Sequence, residues 1–387
     1  MARTATGTDV VHRARGLHDL LRDERPAGER DRRLTDRAVA GLRGAGALRG
    51  WVPESFGGAG LDLAGMVQLV REVTRADPAA GWLVMILGVG DWLTAQFDVR
   101  AQREVFATGP DTSTCQVLTP KGSSTRTGGG WLVSGSWAPA SGCRHARWAM
   151  LGTRQPDGSS ALVLVPTDEL VITDTWHVLG MRATGSELLS GRELFVPDHR
   201  VLARAPLTRG DFPTEHTHPR YRMALVPALA TLLTAPMLSM AEAALEHVLD
   251  RAGSRGVPFT SRARQQDSPA FQLAVAEAAA KTDAARVAAD DAVRVLQQHA
   301  ADGTHPDPVL RTRLRMRAVH AVRQCHRALD ELITAHGAGS LAETSPLHGL
   351  LRDAQTAGRH ALIDPATSAE LFGRILLDLD PEITEML

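Results

Sequence analysis

The spacing of apolar residues changes twice along the chain, and this change constrains the fold more than any other feature of the sequence. Apolar residues recur at helical spacing over roughly the first hundred residues, alternate between about 113 and 206, and return to helical spacing after Met223. A period near 3.6 predicts amphipathic helices, whereas a period of two predicts strands. We therefore expect a helical region over 1–110, a β region over 111–206 and a second helical region over 207–387, which begins with a lid-like polar segment.

Glycine and proline residues divide the two helical regions into separate helices. In the first region the pattern predicts two amphipathic helices over 10–49, then helices over 63–73 and 81–97. In the last region one broad apolar stripe over 225–249 is followed by predicted helices over 269–300, 308–335, 346–361 and 368–378. Short breaks of this kind are typical of antiparallel neighbours in a helical bundle.

The β region contains six short apolar runs. They are TCQVL, GGWLVSGSWA, ARWAMLGT, SALVLV, LVIT and RELFV, and turn-like segments such as PKGSS, RQPDGSS and VPDHR separate them. This pattern predicts an antiparallel sheet, which could close into a small barrel.

The balance of charge argues against a polyanionic partner. The 387 residues include 43 Lys and Arg against 44 Asp and Glu, which gives a formal net charge of -1. No basic excess is available to bind a phosphate backbone or an anionic membrane surface, so we expect neither nucleic acid nor membrane as a partner. No run of about 18 apolar residues is present, and the N-terminus reaches charge before any signal-length apolar run, so we expect a cytoplasmic protein.

Metal and disulfide sites are not predicted. Cys115, Cys143 and Cys325 lie far apart in the sequence without a C-x-x-C pair, which favours neither a disulfide framework nor a zinc site. His216 and His218 lie close together, but histidines in a polar connection of this kind are more often solvated or part of a lid.

Five local motifs, in this order of regions, carry a resemblance to a known fold. They are VPESFGGAGLD at 52–62, REVTRADPAAGW at 71–82, LTPKGSS at 118–124, WHVLGMRATGSELL at 176–189 and RDA at 352–354. Together they resemble the acyl-CoA dehydrogenase superfamily over nearly the whole chain. The resemblance implies an N-terminal helical domain, a middle antiparallel β barrel or sandwich, a C-terminal four-helix bundle and a homotetramer.

The carboxylate base of the dehydrogenases is missing from the matching positions. By resemblance, a Tyr-Glu pair should follow the RDA motif, but His360 and Ala361 stand there. Some relatives carry the base on the first bundle helix, yet residues 216–241 contain no Asp or Glu and the first is Glu242. Removal of a weakly acidic α-proton depends on a placed base, so the sequence argues against dehydrogenase chemistry.

Two further segments resemble the reduced-flavin-dependent monooxygenases of two-component systems, the group D flavin hydroxylases. They are GSWAPASGCRHARW at 135–148 and RDAQTAGRH at 352–360. The resemblance implies that Ser141 lies beside the flavin N5 and C4a edge with His360 opposite. It also implies reduced flavin (FADH2 or FMNH2) from a separate NAD(P)H flavin reductase, reaction with O2 through a C4a-hydroperoxide, and hydroxylation of an aromatic or heteroaromatic small molecule, as in secondary metabolism.

Each candidate site residue has a plainer alternative. Ser141 could be a turn residue before Gly142, and His360 could cap the C-terminal end of its helix. The other candidates for flavin contact, which could instead be core, turn or surface, are Trp176, Thr184, Ser186 and Gln116, with Arg262 and Gln272 directed at a neighbouring subunit's flavin. Candidates for an apolar substrate pocket, which could also be a core stripe, are Trp82, Met85, Asp91, Trp92, Tyr221 and Met223.

Other functions remain open at the level of the sequence. The same chemistry could hydroxylate an amine nitrogen. A flavin oxidase or an acyl-CoA dehydrogenase with a relocated base, and a flavin-free binding relative, are further alternatives.

Overall fold

The computed structural model describes residues 7–381 and 383–386, and its first part is helical. Six helices precede the sheet: α1 (Gly7–Arg15), α2 (His18–Asp31), α3 (Asp36–Ala45), α4 (Leu63–Thr74), α5 (Pro78–Thr94) and α6 (Val99–Val105). The stretch over 10–49 holds three helices where two were predicted, because the chain breaks at Gly16 and again at Arg32, which is left-handed with φ 53°. The first six residues, on which the expected absence of a signal segment partly rests, lie outside the described residues.

Helix α5 is the central element of the N-terminal part. Asp77 caps it by accepting hydrogen bonds from the backbone nitrogens of Ala79 at 2.9 Å and Ala80 at 3.3 Å, and Pro78 supplies the first helical residue. Every residue of the helix except Ile86 is buried. The helix contacts α4 and the first strand of the sheet, so its side chains can reach the interior between the regions.

The middle region forms one seven-stranded sheet. Its strands are β1 (Thr114–Thr127), β2 (Gly130–Ala140), β3 (Trp148–Arg154), β4 (Ser160–Pro166), β5 (Val171–Thr173), β6 (Glu187–Pro197) and β7 (Val201–Ala203). In space they follow the order β5-β6-β2-β1-β3-β4-β7.

The sheet is mixed, whereas the alternating pattern predicted an all-antiparallel arrangement. Residues 141–147 carry the chain from β2 to the far side of β1, so that β3 runs parallel to β1. The predicted turn PKGSS is wrong, because β1 continues through it and pairs Gly122 with Gly135 of β2. Alternation of side chains reports a strand but not the direction of its neighbour.

The last region is a helical bundle preceded by one short helix. Its members are α7 (Arg204–Arg209), α8 (Leu225–Leu232), α9 (Thr234–Arg251), α10 (Pro269–Ala301), α11 (Pro308–His336), α12 (Pro346–Ala357) and α13 (Pro365–Leu376). The predicted single helix over 225–249 is broken after Leu232, because Pro236 lacks the N–H that would donate to the Leu232 carbonyl. The predicted helix over 346–361 ends four residues early, at Ala357.

One hydrophobic core extends through all three regions, and ion pairs cross between them. Arg71 of α4 pairs with Glu242 of α9 at 2.6 Å, and Arg286 of α10 pairs with the same carboxylate at 3.0 Å. By length and composition the stretch Leu225–Arg251 could cross a membrane, but 83% of its apolar window is buried inside the protein. The element order described above confirms the predicted order of helices, sheet and helical bundle.

Candidate active site

A cavity of about 1110 Å³ lies where α5, the sheet, the bundle and the segment 383–386 meet. Eight of the candidate residues named from the sequence line it: Trp82, Met85, Gln116, Ser141, Trp176, Thr184, Ser186 and His360. Aliphatic side chains of α8 and β1 supply much of the remaining wall. An apolar cavity with a few converging polar groups is typical of a small-molecule or cofactor site.

Ser141 lies immediately after β2, at the start of the crossover to β3. Gly142 follows it with φ 76°, and the Gly142 backbone nitrogen donates to the Thr184 carbonyl at 2.9 Å. A glycine suits this left-handed conformation, and an added Cβ would also come within 3.0 Å of Leu83 on α5. Ser141 is thus a turn residue before Gly142, as the plainer alternative proposed, but the same turn directs its side chain to the cavity.

Three hydroxyl groups form a chain of hydrogen bonds behind this turn. Ser141 Oγ lies 2.8 Å from Ser186 Oγ, and Ser186 Oγ lies 2.7 Å from Thr184 Oγ1. Thr184 donates to the Met181 carbonyl at 2.8 Å, which uses its only proton. Ser186 must therefore donate to Thr184, and Ser141 must donate to Ser186.

Trp82 connects the hydroxyl chain to His360. Its indole nitrogen donates to Ser141 Oγ at 3.3 Å, and its ring centre lies 5.9 Å from that of His360. Since Ser141 already donates to Ser186 and receives one bond from Trp82, its free capacity is that of an acceptor.

His360 does not lie on a bundle helix, which corrects the prediction from the sequence. It follows the end of α12 by three residues and caps a short 3-10 turn, Ala361–Ile363, where its Nδ1 accepts from the Leu362 backbone nitrogen at 3.3 Å. Burial lowers the pKa of His360 to about 4. The side chain is therefore neutral at pH 7, and with Nδ1 as an acceptor the proton resides on Nε2.

Gln116 carries an acceptor that lacks a partner. Its Nε2 donates to the Ile86 carbonyl at 2.9 Å, but its buried Oε1 has no hydrogen-bond partner among the described residues. A buried polar atom of this kind requires an explanation, and a bound molecule with an N–H group would satisfy it. Trp176 lies on the same cavity, held by a bond of 3.0 Å from its indole nitrogen to the Met181 carbonyl.

Four of the six residues predicted for the substrate pocket do not line this cavity. Trp92 is core, with its indole nitrogen donating to the Arg220 carbonyl at 2.8 Å, and Tyr221 is buried against His216. Met223 faces a different cavity of about 740 Å³, beside the start of α4. Helical spacing for Trp92, and a place beside the polar connection for Tyr221 and Met223, indicated apolar surroundings but could not tell which of these residues faces a void.

Asp91 is fully buried on α5 and also lies away from the cavity lining. Neither of its carboxyl oxygens makes a well-formed hydrogen bond with the described residues. Burial raises the pKa of Asp91 well above its ordinary value, and hydrogen bonding by Thr114 opposes this only in part. The geometry therefore does not support a direct contact between Asp91 and a substrate in this cavity.

Arg262 and Gln272 are exposed and do not approach the cavity of their own chain. Arg262 lies in the loop before α10. Gln272 lies in the first turn of α10, where its side chain donates to the Gln266 carbonyl at 2.8 Å. Their predicted contact with a neighbouring subunit's flavin stays a prediction.

Sequence reasoning missed the charged part of the lining. Arg154, Arg204 and Arg315 face the cavity together with Glu385 of the segment 383–386. These residues come from β3, α7, α11 and the last described residues, so no local motif connects them. Only the tertiary structure brings them together.

Comparison of the sequence with known proteins identifies a matching family and several similar proteins. A family model described as "Acyl-CoA dehydrogenase, C-terminal domain" matches residues 231–365. The FADH(2)-dependent resorcinol hydroxylase, oxygenase component, of Rhizobium sp. is 31% identical, with 98% of this chain and 97% of that protein covered. The flavin-dependent monooxygenase oxygenase subunit HsaA of Mycobacterium tuberculosis is 33% identical, with 93% of each covered.

Solved structures show the same relationship in three dimensions. XiaF from Streptomyces sp., in complex with FADH2 and glycerol, superposes with a TM-score of 0.92 at 32% identity, covering 98% of this chain and 97% of that chain. The crystal structure of HsaA from M. tuberculosis gives a TM-score of 0.92 at 31% identity, covering 99% of this chain and 100% of that chain.

Proposed function

The chain belongs to the family of oxygenase components of reduced-flavin-dependent monooxygenases, which have the acyl-CoA dehydrogenase fold, and from this premise we propose that it hydroxylates an aromatic or heteroaromatic small molecule with O2 and reduced flavin. One observation carries the assignment to this site: Ser141 and His360 face the same cavity, and both contact Trp82. These two residues are 219 positions apart in the sequence, so the fold has to bring them together.

The lining of the cavity fits a flavin ring. The buried Oε1 of Gln116, which has no partner among the described residues, can accept from a ring N–H, and Trp176 offers a flat apolar surface. When bound, reduced flavin supplies two electrons and activates dioxygen, so that one oxygen atom enters the substrate and the other leaves as water. The protein supplies position, proton control and exclusion of water.

The direction of the hydroxyl chain gives Ser141 a definite task. Ser141 donates to Ser186 and therefore presents its free lone pair to the cavity. It can hold a proton on flavin N5 by accepting a hydrogen bond from that N–H. Retention of this proton slows unproductive loss of peroxide and favours transfer of oxygen to the substrate.

His360 is suited to binding the substrate oxygen. Its neutral ring with a proton on Nε2 can donate a hydrogen bond to the oxygen of a phenol that binds as the phenolate, and that donation stabilises the anion. An electron-rich phenolate ring is a better nucleophile than the phenol toward an electrophilic oxygen. Trp82, with its ring centre 5.9 Å from the His360 ring, helps to fix the imidazole in place.

A direct test is to compare Ser141→Ala and His360→Ala with the wild type in single turnover with pre-reduced flavin and O2. We expect less hydroxylated product and more free hydrogen peroxide from both variants at unchanged thermal stability. Ser159→Ala and His320→Ala, which change exposed residues, serve as matched controls. Unchanged coupling of flavin oxidation to product in both site variants would contradict the proposal.

The alternative of a dehydrogenase with a relocated base finds little support in the lining. Glu385 is the only carboxylate among the described lining residues, and it is ion-paired with Arg154 at 2.7 Å. A paired carboxylate of this kind is a poor general base. Product analysis in the same assay separates carbon hydroxylation from the remaining alternative, hydroxylation of an amine nitrogen.

We further propose a cytoplasmic homotetramer that receives FADH2 or FMNH2 from a separate NAD(P)H-dependent reductase. Three apolar side chains support a subunit contact beside α10: Phe259 is fully exposed, and Leu273 and Val287 are each 69% exposed. Exposed apolar patches of this kind favour burial against another protein surface. Light scattering of the purified protein tests the tetramer, and a monomer in solution would exclude it.

A further inference from the structure

Four arginines line the cavity. Three of them contact the segment 383–386, whereas Arg359, next to His360, bonds to Gln355 instead. We call Arg154, Arg204 and Arg315 the arginine mouth. Arg204 and Arg315 are only 5% and 4% exposed, which is unusual for arginine. Glu385 is the only carboxylate among the described residues that line the cavity, so this part of the lining is cationic.

Arg204 has an anionic partner in the segment 383–386, near the end of the chain. Its guanidinium is ion-paired with Glu385, whose side chain is half exposed and belongs to the segment 383–386. Glu385 also binds Arg154 at 2.7 Å and accepts from Ser160 Oγ at 2.9 Å. Burial lowers the pKa of Arg204, and the charge of the neighbouring Arg154 lowers it further. A desolvated cation beside a second cation requires an anion.

Arg315 is a second buried cation that a nearby anion would stabilise. Its Nε donates to the Leu362 carbonyl and its Nη1 to the Met386 carbonyl, each at 3.0 Å. Both of these partners are neutral. Burial lowers the pKa of Arg315, and Asp364 opposes this shift only in part.

The arginine mouth lies farther along β1 than Gln116, which is near the residues that we assign to the reaction. Gln116 contacts Ile86 on α5, one turn from Trp82, which contacts Ser141. Arg204 donates to the Leu118 carbonyl, two residues and about 7 Å farther along the strand. Arg154 pairs in register with Ser123, farther still.

We propose that the arginine mouth binds a carboxylate carried by the aromatic substrate, in the place that Glu385 holds in this structure. The inference rests on the proposed function and narrows its substrate class to aromatic acids, such as arylalkanoic or hydroxyaryl acids. The acid group binds at the arginines while the ring extends toward Ser141 and His360. A substrate carboxylate exchanges for Glu385 one for one, so the arginines stay neutralised.

Equilibrium binding to the full-length protein without flavin tests the proposal independently of turnover. The probes are p-hydroxyphenylacetate and a hydroxynaphthoate, each paired with its neutral amide, in isothermal titration calorimetry. We expect at least one acid to bind tenfold or more tightly than its amide. Equal affinities within both pairs, or binding of no probe, overturn the proposal.

Variants assign the preference to the arginine mouth. Arg204→Gln and Arg154→Gln should reduce the preference for the acid at least fivefold and leave amide affinity within twofold. Glu385→Gln should instead tighten binding of the acid, because the competing carboxylate is removed. Because Glu385→Gln should change affinity for the acid in the opposite direction to Arg204→Gln, the test stays valid even if Arg204→Gln folds poorly. Arg126→Gln, at an exposed ion pair with Asp198, is the control.

A flavin phosphate is the other possible source of the anionic group. Riboflavin, FMN and FAD are therefore titrated into the wild type and the Arg204→Gln variant. Suppose that Arg204→Gln binds FMN and FAD more weakly than the wild type does, binds riboflavin equally well and keeps the preference for the acid. The arginines would then bind the flavin phosphate, and the proposal would be overturned. If the protein binds the acid more tightly than its amide but does not hydroxylate it, the proposed function is wrong while the proposed anion site stands. The two failures are therefore distinguishable.

Discussion

Asp353 on α12 accepts a hydrogen bond from the backbone nitrogen of Met181 at 2.6 Å, which ties a bundle helix to the loop that carries Thr184 and Ser186. The same carboxylate pairs with Arg25 of α2 at 2.8 Å. Asp353 is only 4% exposed, and one buried side chain thereby joins the two helical regions to a wall of the cavity.

Asp353→Ala should destabilise the protein by about 3 kcal/mol, because it leaves Arg25, whose side chain is only 20% exposed, with Glu29 as its remaining salt-bridge partner. The loop at Met181 also loses its acceptor, so flavin affinity should fall with stability. Urea unfolding and flavin titration measure the two effects. Asp19→Ala is the matched control, since the side chain of Asp19 is 98% exposed and its loss should cost under about 0.5 kcal/mol.

Gly180→Ala should disturb the same contact between loop and helix. A Cβ at this position would lie 2.0 Å from the Arg352 carbonyl oxygen, which is backbone and cannot rotate away. We expect a loss of about 2 to 3 kcal/mol from overpacking, and weaker flavin binding. Gly128→Ala, where no atom lies within 4 Å of an added Cβ, should leave the thermal midpoint unchanged. Equal midpoints for the two variants would contradict the close approach.

Asp91→Asn should be tolerated, because burial raises the pKa of Asp91 well above its ordinary value and thereby favours the protonated, neutral side chain. The unfolded chain releases this proton near pH 4, so the wild type loses stability as pH rises from 4 toward the folded pKa. The Asn variant lacks that loss. Its unfolding free energy relative to wild type should therefore increase by about 1 kcal/mol or more between pH 4 and 8.

The control for this comparison is Asp290→Asn, at an exposed position. A difference between Asp91→Asn and wild type that does not vary with pH would show that Asp91 is ionised in the folded protein.

His360 should make stability depend on pH in the opposite direction. Its folded pKa of about 4 is below the unfolded value near 6.5, so its contribution is fully present above pH 6.5 and is lost as pH falls toward 4. At pH 5 the loss is on the order of 1 to 2 kcal/mol. His360→Gln should remove this component of the pH dependence, as measured by urea unfolding at pH 7 and 5.

His320→Gln, at an exposed site, should retain the pH dependence of the wild type. Identical pH dependence in wild type and His360→Gln would mean that the imidazole is solvated and titrates near its ordinary value.

The sequence by itself determined the order of helices, sheet and bundle, because periodicity reports which face of an element is buried. Through a motif resemblance it also predicted a shared site for Ser141 and His360, and both residues line the cavity. It could not determine that His360 lies beyond the end of α12 or that β3 runs parallel to β1, since both depend on where the chain returns in space.

Only the tertiary structure decided which buried residues face the cavity. Trp82 and Trp92 lie on the same helix, yet Trp82 contacts Ser141 while Trp92 binds the Arg220 carbonyl in the core. Arg204 and Glu385 are far apart in the chain and carry no shared motif, and they meet at the cavity because α7 and the segment 383–386 converge there. Local patterns encode burial, but a site built from distant segments is fixed only by their packing.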